Sequence, residues 1–214
     1  MSQPPRGREQ EKGRGRKERG SEAIRTFLYP LFLDIKGKLC LVVGGGEVAL
    51  RKTEALFKSG ATKVKVVAPL LHPGFAKLGK KGIIKFSRRE FRLSDLKGAE
   101  IVVCSTDSEK LNSLVGKAAA KNRALVNVVD RPALCNFIAP AVFRNGALTI
   151  AVSTGGACPA LAKKIRLHLG KTYGGGFSRK VEALRRLRIK MLAPEPASVK
   201  QAAKQAYFRL LREI

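Results

Sequence analysis

The chain contains no tryptophan and only two histidines, and its aromatic share is 6%. Acidic residues are scarce too: 16 Asp and Glu stand against 43 Lys and Arg in 214 residues. His72 and His168 are isolated from each other and from any second histidine at ligand spacing, so both read as surface residues and no metal site is expected. The four cysteines, Cys40, Cys104, Cys135 and Cys158, form no C-x-x-C pair, which speaks against a zinc site. They read as small reduced thiols near a core, which places the chain in the cytoplasm. No apolar run approaches the roughly 20 residues that span a bilayer, so no membrane segment is expected. The N-terminus is charged from the start and has no apolar h-region, so no secretory signal is legible.

What the chain has in excess is positive charge, a formal +27. Such a balance attracts polyanions: nucleic acid, an acidic membrane surface, or a small ligand with many carboxylates. A solvated lysine-rich surface is the plainer explanation. The tail pairs Arg6-Gly7-Arg8 and Arg14-Gly15-Arg16 favour nucleic acid. Against it, there is no helix-turn-helix or RNA-binding motif, and few aromatics are interleaved with the charge.

Residues 1–25 offer almost nothing to bury and read as a disordered basic tail. Folded sequence begins near Thr26. Hydrophobic residues make up 44% of the chain, enough for a core. Lys38–Val43 is a short apolar run with the length and composition of a buried strand, and three glycines follow it. Val48 to Ser59 has helical character, with Gly60 where a helix-ending glycine belongs. Further strands are expected at Lys63–Ala68, Gly82–Phe86, Glu100–Cys104 and Ala124–Val129, with a helix over Ser108–Lys121. Buried strands alternating with helices predict an α/β fold, a Rossmann-type parallel sheet over residues 26–139. Ala147–Val152 is one more strand, and Pro159–Leu169 is amphipathic. Beyond the break at Gly174-Gly175-Gly176, helices over Ser178–Leu192 and Ser198–Glu213 form a small C-terminal helical domain, residues 173–214.

Gly44-Gly45-Gly46-Glu47-Val48-Ala49 fits the G-x-G-x-x-G/A pattern, directly after a strand and at the start of a helix. Gly44 permits the tight turn, Gly46 lets the backbone approach a pyrophosphate, and Ala49 lets the helix lie close to the sheet. The free N–H groups of the helix start favour phosphate. These features point to a dinucleotide cofactor. The second strand ends in Val67-Ala68-Pro69, without the acid that usually binds the ribose of NAD, so the pattern alone leaves NAD and NADP open. Backbone groups of Ala68 and Pro69 are placed to line an adenosine pocket.

Asp130 closes the fifth strand, on the side where ligands bind in open α/β sheets. It reads equally as a general acid or base and as the start of a turn before Pro132. Ser153-Thr154-Gly155-Gly156, ahead of Pro159, combines hydroxyls, flexible backbone and a helix start, the ingredients of an anion pocket. Capping of an ordinary helix is the alternative.

These stretches together resemble the precorrin-2 dehydrogenase family, which includes a module of bacterial siroheme synthase and a yeast bifunctional dehydrogenase and ferrochelatase. The matching segments are Tyr29–Leu33, Leu41–Lys52, Val126–Asp130, Asn136–Ala141 and Ile150–Ala162, in the family's order and spacing, within about Phe27 to Gly170. The resemblance implies NAD as cofactor, with contacts at Gly44, Gly46, Glu47, Val48, Ala68 and Pro69. It implies that Asp130 matches the family's essential aspartate, and that precorrin-2, a tetrapyrrole with eight carboxylates, is oxidised to sirohydrochlorin near Ser153, Thr154, Gly155 and Gly156. It also implies a homodimer held by a dimerisation segment, residues 140–172. Thr154 stands where some bacterial members carry a phosphorylatable serine. Some relatives also insert iron. Two other functions are compatible with the residues: an NAD-sensing module without chemistry, and a basic nucleic-acid-binding protein.

Overall fold

The computed structural model describes residues 28–79, 82 and 84–214. The tail expected over residues 1–25 lies outside them. Five strands form one parallel sheet: β1 (Leu39–Val43), β2 (Lys63–Val67), β3 (Ile84–Ser87), β4 (Ile101–Cys104) and β5 (Leu125–Val128), in the order β3-β2-β1-β4-β5. The order reverses at β1, which places a crevice beyond the carboxyl ends of β1 and β4.

The strands are continuous apolar runs because helices cover both faces of the sheet. On one face Cys40, Val42, Val64, Val66, Ile101 and Val103 pack with Ala49 of α1 (Glu47–Lys58) and with Phe75 of the short α2 (Phe75–Gly79). On the other, Leu41, Val43, Val67, Val102, Cys104, Val126 and Val128 pack with Val115 and Ala119 of α3 (Glu109–Lys121). Burying each such Val or Leu contributes about 1.5–3 kcal/mol before chain entropy is subtracted. The only polar side chain buried on α1 is Thr53, whose hydroxyl donates to the Ala49 carbonyl at 2.8 Å. Gly60 follows the helix end with φ +89°, the left-handed conformation expected of a glycine there.

The edge of β5 is covered by a side chain. The Asn136 Oδ1 accepts the Val126 N–H at 2.7 Å, its Nδ2 donates to the Ala124 carbonyl at 2.8 Å, and its own backbone N–H reaches the Val126 carbonyl. One asparagine thus satisfies edge groups that a sixth strand would otherwise pair.

A second sheet follows. Strand β6 (Ala141–Asn145), which the sequence pattern does not reveal, pairs antiparallel with β7 (Leu148–Val152) through the two-residue turn Gly146-Ala147. Gly146 has φ +58°, as tight hairpin turns demand. Helix α4 (Pro159–Thr172) packs on this hairpin, and α5 (Phe177–Leu192) pairs with α6 (Ala197–Arg212). Between residues 140 and 214 only Ala162 and Ala203 are buried. No helix among the described residues is long and apolar enough to cross a membrane.

Candidate functional site

The glycine turn is built by three residues with different tasks. Gly44 has φ +121°, and a β-carbon on it would overlap the Ser105 carbonyl oxygen at the end of β4. Its N–H donates to the Val67 carbonyl at 3.0 Å, tying the turn to β2. A β-carbon on Gly45 would overlap the Leu70 carbonyl and press on Ala68 at 2.9 Å. The Gly45 carbonyl accepts the His72 N–H at 2.7 Å. Gly45 is therefore where the segment after β2 docks against the turn, a role the G-x-G pattern hides because its middle position is unspecified. A β-carbon on Gly46, by contrast, would meet nothing within 4 Å. Space is free at the one glycine where a pyrophosphate needs it.

Gly46 is the N-cap of α1 and no side chain caps the helix, so its first N–H groups, at Glu47 and Val48, are open to an anion. Beside Gly44, the Ser105 hydroxyl is buried without a hydrogen-bond partner. The turn after β4 is held rigid by Asn112, whose Oδ1 accepts from the Thr106 hydroxyl at 2.7 Å and whose Nδ2 donates to the Thr106 carbonyl at 2.8 Å. An uncapped helix start, a cradle without side chains and an orphaned hydroxyl together fit a dinucleotide. Ala68 is buried and Pro69 exposed at the end of β2. They stand beside the glycine turn, so the ends of two consecutive strands, β1 and β2, bring Gly44, Gly46, Glu47, Val48, Ala68 and Pro69 to one end of the sheet.

Asp130 lies at the same sheet end, two strands from β1. Its backbone is left-handed, φ +57°, in the turn closed by the Arg131 N–H on the Val128 carbonyl at 3.3 Å. Asp and Asn tolerate this region better than other non-glycine residues. The turn uses that tolerance but not the carboxylate, which makes no hydrogen bond to it. Cys135 anchors the turn from beneath: its Sγ accepts the Val128 N–H at 3.2 Å and contacts the Val128 and Arg131 carbonyls at 3.2 and 3.3 Å. On the exposed side Arg131 pairs with Glu109.

Near Asp130 stands a pair of polar residues, Lys52 and Asn127. Lys52 of α1 donates to Asn127 Oδ1 at 3.3 Å, and Asn127 Nδ2 donates to the Phe137 carbonyl at 3.2 Å. Asn127 is 8% exposed. Burial lowers the Lys52 ammonium below the usual lysine value; Arg51 lowers it further, and Cys135 and Asp130 oppose the shift. The detectable signal was a polar residue inside an apolar strand, Val126-Asn127-Val128.

The Ser153–Gly156 turn sits in the second unit, between β7 and α4. Its hydroxyl oxygens accept locally: Ser153 Oγ accepts the Gly155 N–H at 3.1 Å and Thr154 Oγ1 accepts the Cys158 N–H at 3.0 Å. Pro159 occupies the first turn of α4. Burial pushes the Cys104 thiol up to about 12 and Cys40 to about 11, so neither is a nucleophile. Among the described residues no cluster of His, Cys, Asp and Glu is gathered for a metal ion.

Residues 31–141 match the family model for NAD(P)-binding, and residues 145–172 match that of the sirohaem biosynthesis protein central segment. A siroheme synthase of Pseudomonas aeruginosa strain UCBPP-PA14 is 41% identical over 172 residues, covering 78% of this chain and 36% of that protein. The siroheme synthase of Methylobacillus flagellatus is 42% identical over 149 residues, covering 68% of this chain and 32% of that protein. The chain thus spans about a third of the length of these relatives. Among solved structures, SirC, a precorrin-2 dehydrogenase, superposes with a TM-score of 0.70 at 28% identity, covering 87% of this chain and 98% of SirC. The chain belongs to this NAD(P)-binding family.

Proposed function

We propose that the chain oxidises precorrin-2 to sirohydrochlorin with NAD as the acceptor. The observation that carries this reading is the carboxylate of Asp130, outside the hydrogen bonds of its own turn and near the Lys52 ammonium, presented in a left-handed turn at the carboxyl end of β5 on the same sheet end as the glycine turn. A bound nicotinamide supplies the hydride acceptor. The N–H groups of Glu47 and Val48 and the open face of Gly46 hold the pyrophosphate, and Ala68 and Pro69 line the adenosine end. Asp130 takes the proton that leaves the macrocycle, or holds the ring in register for its loss. Ser153, Thr154, Gly155 and Gly156 receive substrate carboxylates through the Ser153 and Thr154 O–H groups, whose oxygens accept the Gly155 and Cys158 N–H but whose protons remain to donate, and through the backbone of the glycine turn.

NAD rather than NADP is supported by the end of β2. From Val67 to Leu71 no basic side chain stands ready for a 2′-phosphate, and Arg89 beyond β3 is gripped by both oxygens of Asp95. A homodimer is supported by the poor burial beyond residue 140: the hairpin and α4 leave Leu161, Ile165 and Leu167 exposed. On this reading residues 26–139 bind the cofactor, 140–172 join two copies and 173–214 form the helical domain. Three buried free thiols suit a reducing compartment, the cytoplasm.

The test is direct: purified chain, precorrin-2 and NAD⁺, with sirohydrochlorin followed by its absorbance. NAD⁺-dependent appearance of product is the expected result. Dinucleotide binding without turnover would mark the chain as a sensing module and remove the dehydrogenase reading.

A further inference from the structure

Lys52 is an unusual lysine for a helix in a chain this basic. Most of its fellows are solvated; Lys52 is half-buried, and its charge is retained at a desolvation cost. An ammonium carries three N–H donors. One is spent on Asn127 Oδ1, and no other acceptor among the described residues takes the remaining two. Asn127 is itself oriented for the task. Its Nδ2 must face the Phe137 carbonyl, so its oxygen is left to face Lys52. A buried amide 75 residues away in sequence is thus devoted to holding one cation at the top of β5.

The location narrows what that cation serves. Lys52 lies in the second turn of α1, and it bonds across to β5 rather than back to the glycine turn at β1. In a sheet of order β3-β2-β1-β4-β5 the adenosine half of a dinucleotide lies toward β2 and the reacting half toward β5. The titratable groups around Lys52 are Arg51 on its own helix, and Asp130 and Cys135 from the end of β5 and the turn after it. A half-buried ammonium with spare donors, at the reacting half and beside the proposed proton acceptor, can take a second carboxylate in addition to Asp130.

We infer that Lys52 is a substrate-anchoring residue: its ammonium, tethered by Asn127 at the carboxyl end of β5, takes a carboxylate of the tetrapyrrole and sets the macrocycle beside Asp130. This rests on the dehydrogenase reading above. It assigns a share of the chain's positive charge to a defined contact, and it explains why a lysine is kept where burial opposes its charge.

The experiment uses uroporphyrin, a macrocycle with the same acetate and propionate arms that is not turned over. Its binding to the NAD-loaded full chain is followed by fluorescence for wild type, Lys52→Met and Lys52→Arg, beside NAD titrations and thermal melts. Lys52→Met should weaken uroporphyrin binding about tenfold, the loss typical of one charge-assisted hydrogen bond, with NAD affinity unchanged. Lys52→Arg should restore most of it. Wild-type binding should weaken as pH rises through the lowered Lys52 value, and Lys52→Arg, always charged, should not follow. If Met fails to fold, Lys52→Gln replaces it as the neutral variant. Uroporphyrin binding unaffected by loss of the charge overturns the inference, as does a loss confined to NAD. Wild-type turnover of precorrin-2 accompanying either result leaves the dehydrogenase reading intact; a wild type that neither binds uroporphyrin nor turns over precorrin-2 ends both.

Discussion

The Leu70 carbonyl oxygen occupies the place that a β-carbon on Gly45 would need, so the segment after β2 and the glycine turn are in direct backbone contact. Only a residue without a side chain allows this approach. Gly45→Ala should therefore force Leu70 and Ala68 outward, at the 1–3 kcal/mol typical of overpacking. For a domain of this size that is a fall of roughly 3–10 °C in melting temperature. NAD affinity should fall with it, because Ala68 and Pro69 move. A variant that melts like wild type would show that the segment after β2 yields without cost.

Gly46→Val, one residue on, should do the reverse. Its β-carbon would meet no protein atom, and its φ of −77° with ψ of −172° is open to any residue. The fold should hold. NAD binding should weaken by more than about tenfold, because the new methyls fill the space left for the pyrophosphate. A melt and an NAD titration on the two variants separate the structural glycine from the binding one. Unchanged NAD affinity in folded Gly46→Val would remove the dinucleotide reading of the turn.

The contrast between these neighbours shows what the sequence could and could not reveal. The strand Leu39–Val43, the turn and α1 were legible because a buried parallel strand is a plain apolar run and the glycines follow it at once. Strand β6 was not: Ala141–Asn145 is half-exposed, lacks a continuous apolar run, and is defined by its pairing with β7. The short α2 is hidden between Pro73 and Gly79. Lys52 and Asn127 were visible only as members of a resembling motif, because their partnership spans 75 positions and depends on α1 crossing toward β5. Asn136 likewise reads as a loop residue until the open edge of β5 is seen beside it.

Stability should depend on acid through Asp95. This carboxylate is buried and bonded to Arg89 by two N–H groups at 2.8 and 2.6 Å, to Lys65 at 2.7 Å and to the Arg92 N–H at 2.9 Å. The Arg89 hydrogen bonds, with Lys65 and the Arg92 N–H adding to them, hold it far below the usual carboxylate range against the opposing effect of burial. The folded state therefore releases this proton more readily than the unfolded chain. The stabilisation is full above about pH 5 and is lost as pH falls through the depressed folded value. Asp95→Asn should cost about 2 kcal/mol at neutral pH and flatten the acid limb of a stability profile. Equal slopes for the two proteins between pH 5 and pH 3 would contradict this.

Asp130 combines a backbone demand with a chemical one, and three substitutions pull them apart. Its φ of +57° suits Asn and Gly but strains a β-branched residue. Asp130→Asn keeps the turn and loses the negative charge and the basicity, so the melt should hold while kcat falls. If the carboxylate accepts the substrate proton, the fall should be on the order of 10²–10⁴-fold at saturating NAD⁺. Asp130→Gly relieves the left-handed strain but frees the unfolded chain, leaving stability within about 1 kcal/mol of wild type, again with kcat lost. Asp130→Val should instead lower the melting temperature, because the turn itself is opposed. Since the turn makes no use of the carboxylate, activity and stability should separate cleanly: both falling for Val, activity alone for Asn and Gly. Near-normal kcat in a folded Asp130→Asn protein would reduce Asp130 to a turn residue and leave the proton to another acceptor.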